Sequence, residues 1–280
     1  MNLIKLSIES VAVAGPGLAS WPQSRSVLSG SIPYTHSDLE RYKPHMLPAN
    51  ERRRATDLIR LAFRVCEQVV DKSPVPVSQL AAVFASSGGD YQIVDQICRT
   101  LATPERAVSP TQFHNSVHNS AAGYWSIATG SQAPSVSLSA YDATFASGLL
   151  EAGMLSRVEN LPTLLAVYDS KPPAPLQRKR SIDAPFGVAF LLTPEPTPGS
   201  LAQLSLKRVP DRVQEDSAHS PELEAMRLKN PAARVLPLLE LLAKNESGCC
   251  RLNLPGSQHI AIDLEPAQPS AGLQASTQSC

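Results

Sequence analysis

The side chains best suited to chemistry lie between residues 109 and 152. Asp142 stands directly before a run of small and apolar residues that predicts a helix at 143–157. Its carboxylate could act as a general base or accept hydrogen bonds from the first backbone N–H groups of that helix. His114 and His118 are four residues apart and could bind a metal from one helical face, but the sequence offers no third ligand. We therefore expect no metal and no cofactor, and histidines that serve a loop or an interface.

The cysteine and glycine patterns predict no further site. The five cysteines show neither the paired spacing of a zinc site nor the even number of a disulfide framework. Cys66 and Cys98 fall on apolar helical faces, which predicts buried thiols. The segment from Gly15 to Ser20 nearly fits the Gly-x-Gly-x-x-Gly pattern of dinucleotide sites, but the third glycine is absent and no acidic residue ends a second strand about 20 residues later. A nucleotide site is therefore not expected.

Composition and charge describe a globular chain of one large domain or two modest ones. Hydrophobic residues make up 42% of the 280 residues and charged residues 18%, while the formal net charge of zero gives no general attraction for nucleic acid or an anionic membrane. No apolar run reaches the roughly 18–20 residues of a membrane span. Glu9 and Ser10 interrupt the apolar N-terminus, which predicts a buried strand rather than a signal peptide, and hence a cytoplasmic protein.

Strands and helices alternate up to Thr193. Apolar runs predict strands at 3–14, 80–85, 134–141, 163–168 and 186–192. Helical spacing of apolar residues predicts helices at 50–70, 90–101, 116–129 and 143–157. Asn50 and Asp90 are the expected helix caps, and the proline-containing stretch 22–48 and the basic stretch 171–180 are predicted to be surface loops. This order of elements predicts a layered α/β fold.

The composition changes after Thr193, where prolines and then charged residues become frequent. Asn230-Pro231 precedes a leucine-rich run that predicts a helix, and alternating apolar residues around Pro255-Gly256 predict a β-hairpin. The residues from Pro266 are rich in Gln, Ser, Ala and Pro and are predicted to be disordered. We divide the chain into an N-terminal half at 1–193, a shortened C-terminal part at 194–265 that completes the same domain, and a tail at 266–280.

The stretch 109–152 resembles the nucleophile region of β-ketoacyl synthases. It has a Ser109-Pro110 pair, Asn119 nine residues after the proline, a small-residue helix, a short strand and then a nucleophile elbow. In working members the elbow has roughly the sequence Thr-Ala-Cys-Ala/Thr-Ser-Gly, and counting back from Ala152 places Asp142 at the cysteine and Tyr141 at the preceding alanine. Segments 11–17 and 85–89 are similar to the family's opening strand with its turn and to its glycine-rich turn, respectively.

The resemblance implies a thiolase-like layered αβα fold, truncated in its second half. The two histidine motifs of condensing members, in a His-Gly-Thr-Gly-Thr loop and beside an Asn-Ser-Phe-Gly-Phe-Gly-Gly turn, are missing from this sequence. A carboxylate at position 142 cannot replace a thiolate in thioester exchange. Among relatives, the chain looks like a catalytically silent chain length factor. It looks most like the short ketosynthase-like subunit of aryl polyene clusters.

The same resemblance implies a heterodimer with a full-length, active β-ketoacyl synthase, formed through 109–123 and the strand at 134–141. An acyl carrier protein is a further candidate partner, and no nucleic acid is expected. By their place in the motif, Gln112, Phe113 and His114 lie where family members open or close the acyl tunnel. The expected tunnel and interface residues are Gln112, Phe113, His114, Asn119, Tyr141 and Asp142. Two alternatives stay open: a minimal acyltransferase or decarboxylase that uses Asp142 with His114, and an orphan structural homodimer.

Overall fold

The computed structural model describes residues 4–71, 73, 75–209 and 214–267. The described strands are β1 Ile4–Ala14, β2 Ala81–Ala85, β3 Ser135–Leu138, β4 Thr163–Asp169, β5 Phe186–Thr193, β6 Ala202–Val209, β7 Gly248–Leu254 and β8 Gln258–Pro266. The described α-helices are α1 Trp21–Leu28, α2 Ala49–Arg54, α3 Asp57–Val70, α4 Tyr91–Leu101, α5 Pro110–Ser116, α6 Ser120–Thr129, α7 Thr144–Glu159, α8 Ala174–Gln177, α9 Pro221–Lys229 and α10 Leu236–Lys244.

All described strands join one mixed sheet in the order β3-β2-β4-β5-β1-β6-β8-β7. Strands β1 to β4 run in the same direction and β5 runs against them, between β4 and β1. Every residue of β4 and β5 is buried, because helices cover both faces of this part of the sheet and each face needs apolar side chains. The chain therefore forms an αβα sandwich, the layered α/β fold that the element order predicts.

Each face of the sheet has its own apolar core. Helices α3 and α6 pack on one face, where Phe63 and Trp125 meet edge to face with 5.4 Å between ring centroids. Helix α7 crosses the other face together with α1 and α10, and Phe145 on α7 packs against Phe190 on β5. Helix α7 lies close to the sheet at Gly148, where a Cβ would lie 3.2 Å from that of Ala85.

Several boundaries differ from the prediction. Residues 21–28 form α1 inside the predicted loop, and the predicted helix at 50–70 is divided into α2 and α3. The cap of α3 is Thr56, whose hydroxyl accepts a hydrogen bond from the backbone N–H of Ile59, and not Asn50. Asp90 caps α4 as predicted, by accepting from the N–H groups of Gln92 and Ile93. The predicted helix at 116–129 is the shorter α6, and α5, which ends at Ser116, precedes it and was not predicted.

The C-terminal part extends the same sheet. The predicted hairpin is confirmed as β7 and β8, and the predicted leucine-rich helix is confirmed as α10 after a turn of 3₁₀ helix at Pro231–Val235. Strand β6 and helix α9 were not predicted from the sequence, since charged residues obscure their apolar positions. The division at residue 193 stays a prediction. The predicted tail lies outside the described residues except for Pro266, the last residue of β8, and Ala267.

Helix α4 corrects a prediction about which face is buried. Its apolar positions keep helical spacing, yet Ile93 is its buried residue, while Val94 and Leu101 are exposed. Cys98 on the same helix is exposed, so its predicted burial is wrong, whereas Cys66 on α3 is fully buried and burial raises the pKa of its thiol. Amphipathic spacing identifies an apolar face but not the surface that covers it. None of the described helices has both the length and the apolarity needed to cross a membrane.

Candidate functional site

The chain makes a strained elbow between β3 and α7. After Leu138 it passes through Tyr141, whose φ of 54° lies in the left-handed region, and through one turn of 3₁₀ helix at Tyr141–Ala143. A positive φ is uncommon for a bulky residue and needs support from its surroundings. The buried Thr144 supplies it, because its hydroxyl accepts from the N–H of Ala140 at 3.1 Å and donates to the carbonyl of Tyr141 at 2.7 Å. The elbow therefore presents Asp142 next to the first turn of α7.

Arg180 holds the two residues of the elbow. Its Nη1 donates to Oδ1 of Asp142 at 2.6 Å, and its guanidinium lies over the ring of Tyr141, 3.7 Å from the centroid. The Arg180 side chain is 12% exposed and the Asp142 side chain 51% exposed. Burial lowers the pKa of Arg180, but the hydrogen bond and charge of Asp142 outweigh it and raise the pKa above its usual value. Asp142 is thus one half of an ion pair.

This pairing corrects the expectation that Asp142 caps the following helix. Within the described residues, no side chain caps α7, and the carboxylate of Asp142 turns to Arg180 instead. Arg180 comes from the stretch 171–180, which the sequence predicts to be a solvated loop. Its burial was missed because the arginine lies 38 residues from Asp142 and carries no local signal of a partner. A largely buried arginine is usually paired with an acceptor, and Asp142 is that acceptor here.

A buried carboxylate lies behind the elbow. Asp169 ends β4, and its Oδ1 accepts from the backbone N–H of Ser87 at 2.9 Å, from the Ser87 hydroxyl at 2.8 Å and from the Ser86 hydroxyl at 3.2 Å. Burial raises the pKa of Asp169 to about 6, although the hydrogen bonds and the charge of Arg180 act to lower it. Strands β2, β3 and β4 are parallel, so their carboxyl ends meet at one edge of the sheet. That topology brings Ser86, Ser87, the elbow and Asp169 together.

A polar cleft opens above Asp142. It has a volume of about 270 Å³ and lies between the elbow, residues 179–182 and the end of α9 with the residues that follow it. Lys229 donates from Nζ to the hydroxyl of Ser181 at 3.3 Å across this cleft. Lys179 and Arg180 also line it, so cations outnumber the single carboxylate of Asp142. No local sequence pattern predicts this cluster, since its members come from three separate segments.

The remaining predicted site residues lie on α5 and at the start of α6. Gln112 donates from Nε2 to Oε1 of Gln96 on α4 at 3.2 Å, and the side chain of Phe113 is 67% exposed. His114 packs edge to face on Tyr124, with 5.9 Å between ring centroids. Asn119 precedes α6 and is exposed. These residues and the elbow are separate sites, and their tunnel roles stay predictions.

The turn after β2 connects the two sites. A ring nitrogen of His118, Nε2, lies 3.0 Å from the carbonyl oxygen of Ser86, and the hydroxyl of Ser139 donates to the carbonyl of Ser87 at 2.8 Å. His114 and His118 therefore contact different groups. In the part of the chain that the structure describes, no three His, Cys, Asp or Glu side chains cluster as metal ligands would.

Strand β3 is one edge of the described sheet and pairs with β2 alone. The carbonyl oxygens of Pro134 and Leu138 accept hydrogen bonds from β2. Because successive residues of a strand direct their backbone groups to opposite sides, those of Ser135 and Ser137 face away from the sheet. Exposed apolar side chains also occur on α4, on α5 and directly after α5: Val94, Leu101, Phe113 and Val117. Helix α5 packs against α6, and α6 packs against β3. A free strand edge and exposed apolar side chains are both features of surfaces that pair with another chain.

The sheet order, the two helical layers and the elbow after β3 define a thiolase-like α/β protein, truncated in its second half. A family model described as the N-terminal domain of β-ketoacyl synthase matches residues 21–256. Because the match spans most of the sequence, the chain belongs to the β-ketoacyl synthase family. A search of curated protein sequences finds no significant match.

Solved structures of ketosynthase complexes share this fold. One of these structures is the complex of the ketosynthase ApeO with its chain length factor ApeC from Xenorhabdus doucetiae. A chain of that complex aligns with a TM-score of 0.68 and 24% sequence identity, over 93% of this chain and 99% of that chain. The ishigamide ketosynthase/chain length factor aligns with a TM-score of 0.71 and 12% identity, over 94% of this chain and 100% of that one. AntDE:AntF, a type II acyl carrier protein in complex with its ketosynthase, aligns with a TM-score of 0.72 and 11% sequence identity, over 95% of this chain and 100% of that chain.

Proposed function

We propose that this chain is a non-catalytic, chain-length-factor-like subunit that pairs with an active, full-length β-ketoacyl synthase in type II polyketide synthesis. The observation that carries the proposal is the ion pair of Asp142 with Arg180 at the elbow, taken with the sequence resemblance, which assigns the cysteine of the family motif to position 142. Acyl transfer by this family needs a thiolate, and an ion-paired carboxylate is a poor nucleophile toward a thioester. The chain's contribution is then to its partner's site.

The surface around β3 supports the pairing. The outward backbone groups of Ser135 and Ser137 are available to a strand of another chain. Phe113 and Val117 are exposed apolar side chains on and after α5, which is connected to β3 through α6. A dimer built on such a surface would continue the sheet across the interface and cover these side chains. The ApeO structure, described as a ketosynthase in complex with its chain length factor, is a precedent for such a pair.

The substrate proposal follows from the sequence resemblance. The run from Asn119 to Ile127 looks like the short ketosynthase-like subunits of aryl polyene clusters, so we propose that the partner elongates a polyene. Gln112, Phe113 and His114 would then lie beside the growing chain, where the size of Phe113 would limit its length. An acyl carrier protein is a proposed third component, for which the AntDE:AntF complex is a precedent.

The enzyme alternative has less support. An acyltransferase or decarboxylase based on Asp142 and His114 needs both groups free to act on one substrate. The carboxylate of Asp142 is instead bound to Arg180, and the ring of His114 packs on Tyr124. The homodimer alternative uses the same β3 edge, so a direct test of partner choice is needed.

The test is co-expression of this chain, carrying an affinity tag, with the untagged full-length ketosynthase encoded beside its gene. The expected result is a stable one-to-one complex by light scattering, with condensation of acyl units that depends on the ketosynthase cysteine. The control is the tagged chain alone, which is expected to be less soluble and less stable than the complex. A soluble, stable monomer or homodimer that does not bind the ketosynthase would contradict the proposal. Turnover of an acyl thioester by the chain alone would favour the enzyme alternative.

A further inference from the structure

We propose that Arg180 is a plug: a positioning residue that fills one side of the approach to the elbow, beside the polar cleft, and so hinders the access of a bulky acyl thioester to residue 142. This inference rests on the proposed function and deepens it, because it gives a second, physical reason why this chain would be silent. Replacement of the thiol removes the nucleophile, whereas the plug narrows the room for its substrate. The two effects can be separated by experiment.

The position of Arg180 carries the inference. Its guanidinium covers the Tyr141 ring at 3.7 Å and bonds Asp142 at 2.6 Å, so it occupies the volume directly in contact with both residues of the elbow. Although the arginine belongs to an exposed, proline-containing segment, only 12% of its side chain is exposed. Its Nε and Nη2 atoms are buried and have no hydrogen-bond partner among the described residues, so they face the protein interior rather than solvent.

Asp142 holds the guanidinium in place. It binds Nη1 at 2.6 Å, and the charge of Arg180 also acts on the buried Asp169, whose Oδ2 has no hydrogen-bond partner among the described residues. A largely buried guanidinium leaves its carboxylate at a cost, because both groups would lose a charged partner. The arrangement therefore keeps the guanidinium against the elbow.

The segment that carries Arg180 is anchored on both sides. On the N-terminal side, the N–H of Arg180 donates to the carbonyl of Leu176 in the short helix α8 at 2.8 Å. After it, the buried side chain of Ile182 enters the core, and the N–H of Ile182 donates to the carbonyl of Arg180 at 2.9 Å. The 3₁₀ turn at 231–235 and strand β7 also lie against the elbow. Arg180 is thus held over the elbow by its own backbone as well as by its charge.

The test measures access to residue 142 by means of an introduced thiol. Asp142→Cys and the double variants Asp142→Cys/Arg180→Ala and Asp142→Cys/Arg180→Lys are treated with iodoacetamide, a small reagent, or with pantetheine maleimide, a bulky one. Labelling at position 142 is followed by peptide mass spectrometry. The protein is the complex with the ketosynthase where that forms, and the full-length chain otherwise, so the result does not depend on whether the partner proposal holds.

A plug and a purely electrostatic pair predict opposite changes in the rate of labelling at position 142 when Arg180 is replaced by Ala. Loss of the neighbouring cation raises the pKa of the introduced thiol, so electrostatics alone predicts slower alkylation in the Arg180→Ala variant. A plug predicts faster labelling by pantetheine maleimide, by roughly tenfold or more, which corresponds to about 1.4 kcal/mol of activation free energy. Arg180→Lys keeps the charge but lacks the planar group that covers Tyr141, and its labelling is also expected to rise.

The controls come from the same chain. Arg178→Ala changes an exposed arginine in the same segment and should leave labelling at position 142 unchanged. Labelling of the exposed Cys98 shows that the reagents are equally active in every sample. Labelling of the buried Cys66 would show that a variant is unfolded. If Arg180→Ala is unfolded by this criterion, the Arg180→Lys variant decides the outcome. Unchanged or slower labelling by pantetheine maleimide in a folded Arg180 variant overturns the plug.

Discussion

Phe113 gives the sharpest test of where the partner binds. Its side chain is 67% exposed in the chain alone. An aromatic side chain buries roughly 150–250 Å² when fully covered, so about 130 Å² of Phe113 remains for a partner to cover. At about 25 cal/mol per Å², covering this area would contribute about 3 kcal/mol to association. The ring contributes little to the stability of the isolated chain, because most of it is already in water.

The expected effect of Phe113→Ala is therefore on association. The free energy of unfolding of the chain alone should change by less than about 0.5 kcal/mol, while the dissociation constant of the complex should rise by up to about 100-fold. Titration with a labelled ketosynthase gives the dissociation constant, and urea unfolding gives the stability. The matched control is Ile32→Ala, because Ile32 is 50% exposed but follows α1, which packs on α10 rather than on the β3 side.

Product analysis separates packing from tunnel control. At concentrations that keep the Phe113→Ala complex assembled, a ring that limits the acyl tunnel predicts products longer by whole two-carbon units, measured by mass spectrometry. Gln112→Ala is compared in the same assay. An unchanged dissociation constant would refute the place of α5 in the interface. An unchanged product distribution from an intact complex would refute the tunnel role of Phe113.

Four further results are expected. Ser137→Pro removes an outward N–H from the edge strand, so size-exclusion chromatography should show a folded chain that no longer forms the complex; a retained complex would exclude pairing through β3. Asp142→Ala loses a half-exposed ion pair, so stability should fall by less than about 1 kcal/mol with condensation retained. Asp142→Cys should not give condensation by this chain alone, and net chain extension on that thiol would contradict a silent subunit. For Asp169, burial raises the pKa from 3.8 to about 6. Between these two pH values the folded chain retains a proton on Asp169 that the unfolded chain has released. The free energy of unfolding that this group contributes therefore falls by about 3 kcal/mol as the pH rises from below 3.8 to above 6. Urea unfolding at pH 4 and 7.5 should show the wild type losing that amount relative to Asp169→Asn, and parallel pH profiles would contradict the assignment.

Local patterns predicted the elements that lie deep in the fold. Strands β2, β4 and β5 have continuous apolar runs because helices cover both of their faces, and the structure has them close to the predicted bounds. Asp90 was found as a cap because capping is a contact between near neighbours in the chain. The misplaced boundaries fall where a local signal was weak, as at α1, whose polar residues and Pro22 conceal a short helix.

Side-chain partners distant in sequence were beyond such patterns. The sequence predicts that Asp142 begins a helix, but it does not show that the carboxylate binds Arg180 and leaves the helix uncapped. It predicts an apolar face on α4, but it does not show that Val94 and Leu101 stay exposed. Periodicity reports which residues share a face, whereas burial depends on what the rest of the chain places against that face.

The sequence by itself determined the alternation of strands and helices and the carboxylate at the elbow, because these depend on neighbouring residues. Only the tertiary structure decided the strand order, the free edge at β3 and the meeting of Asp142, Arg180 and Asp169. The parallel arrangement of β2, β3 and β4 brings their carboxyl ends to one edge, and the anchored segment before Ile182 carries the guanidinium there. Asp142 and Arg180 come from separate segments, and the guanidinium can lose most of its contact with water because the carboxylate supplies an acceptor.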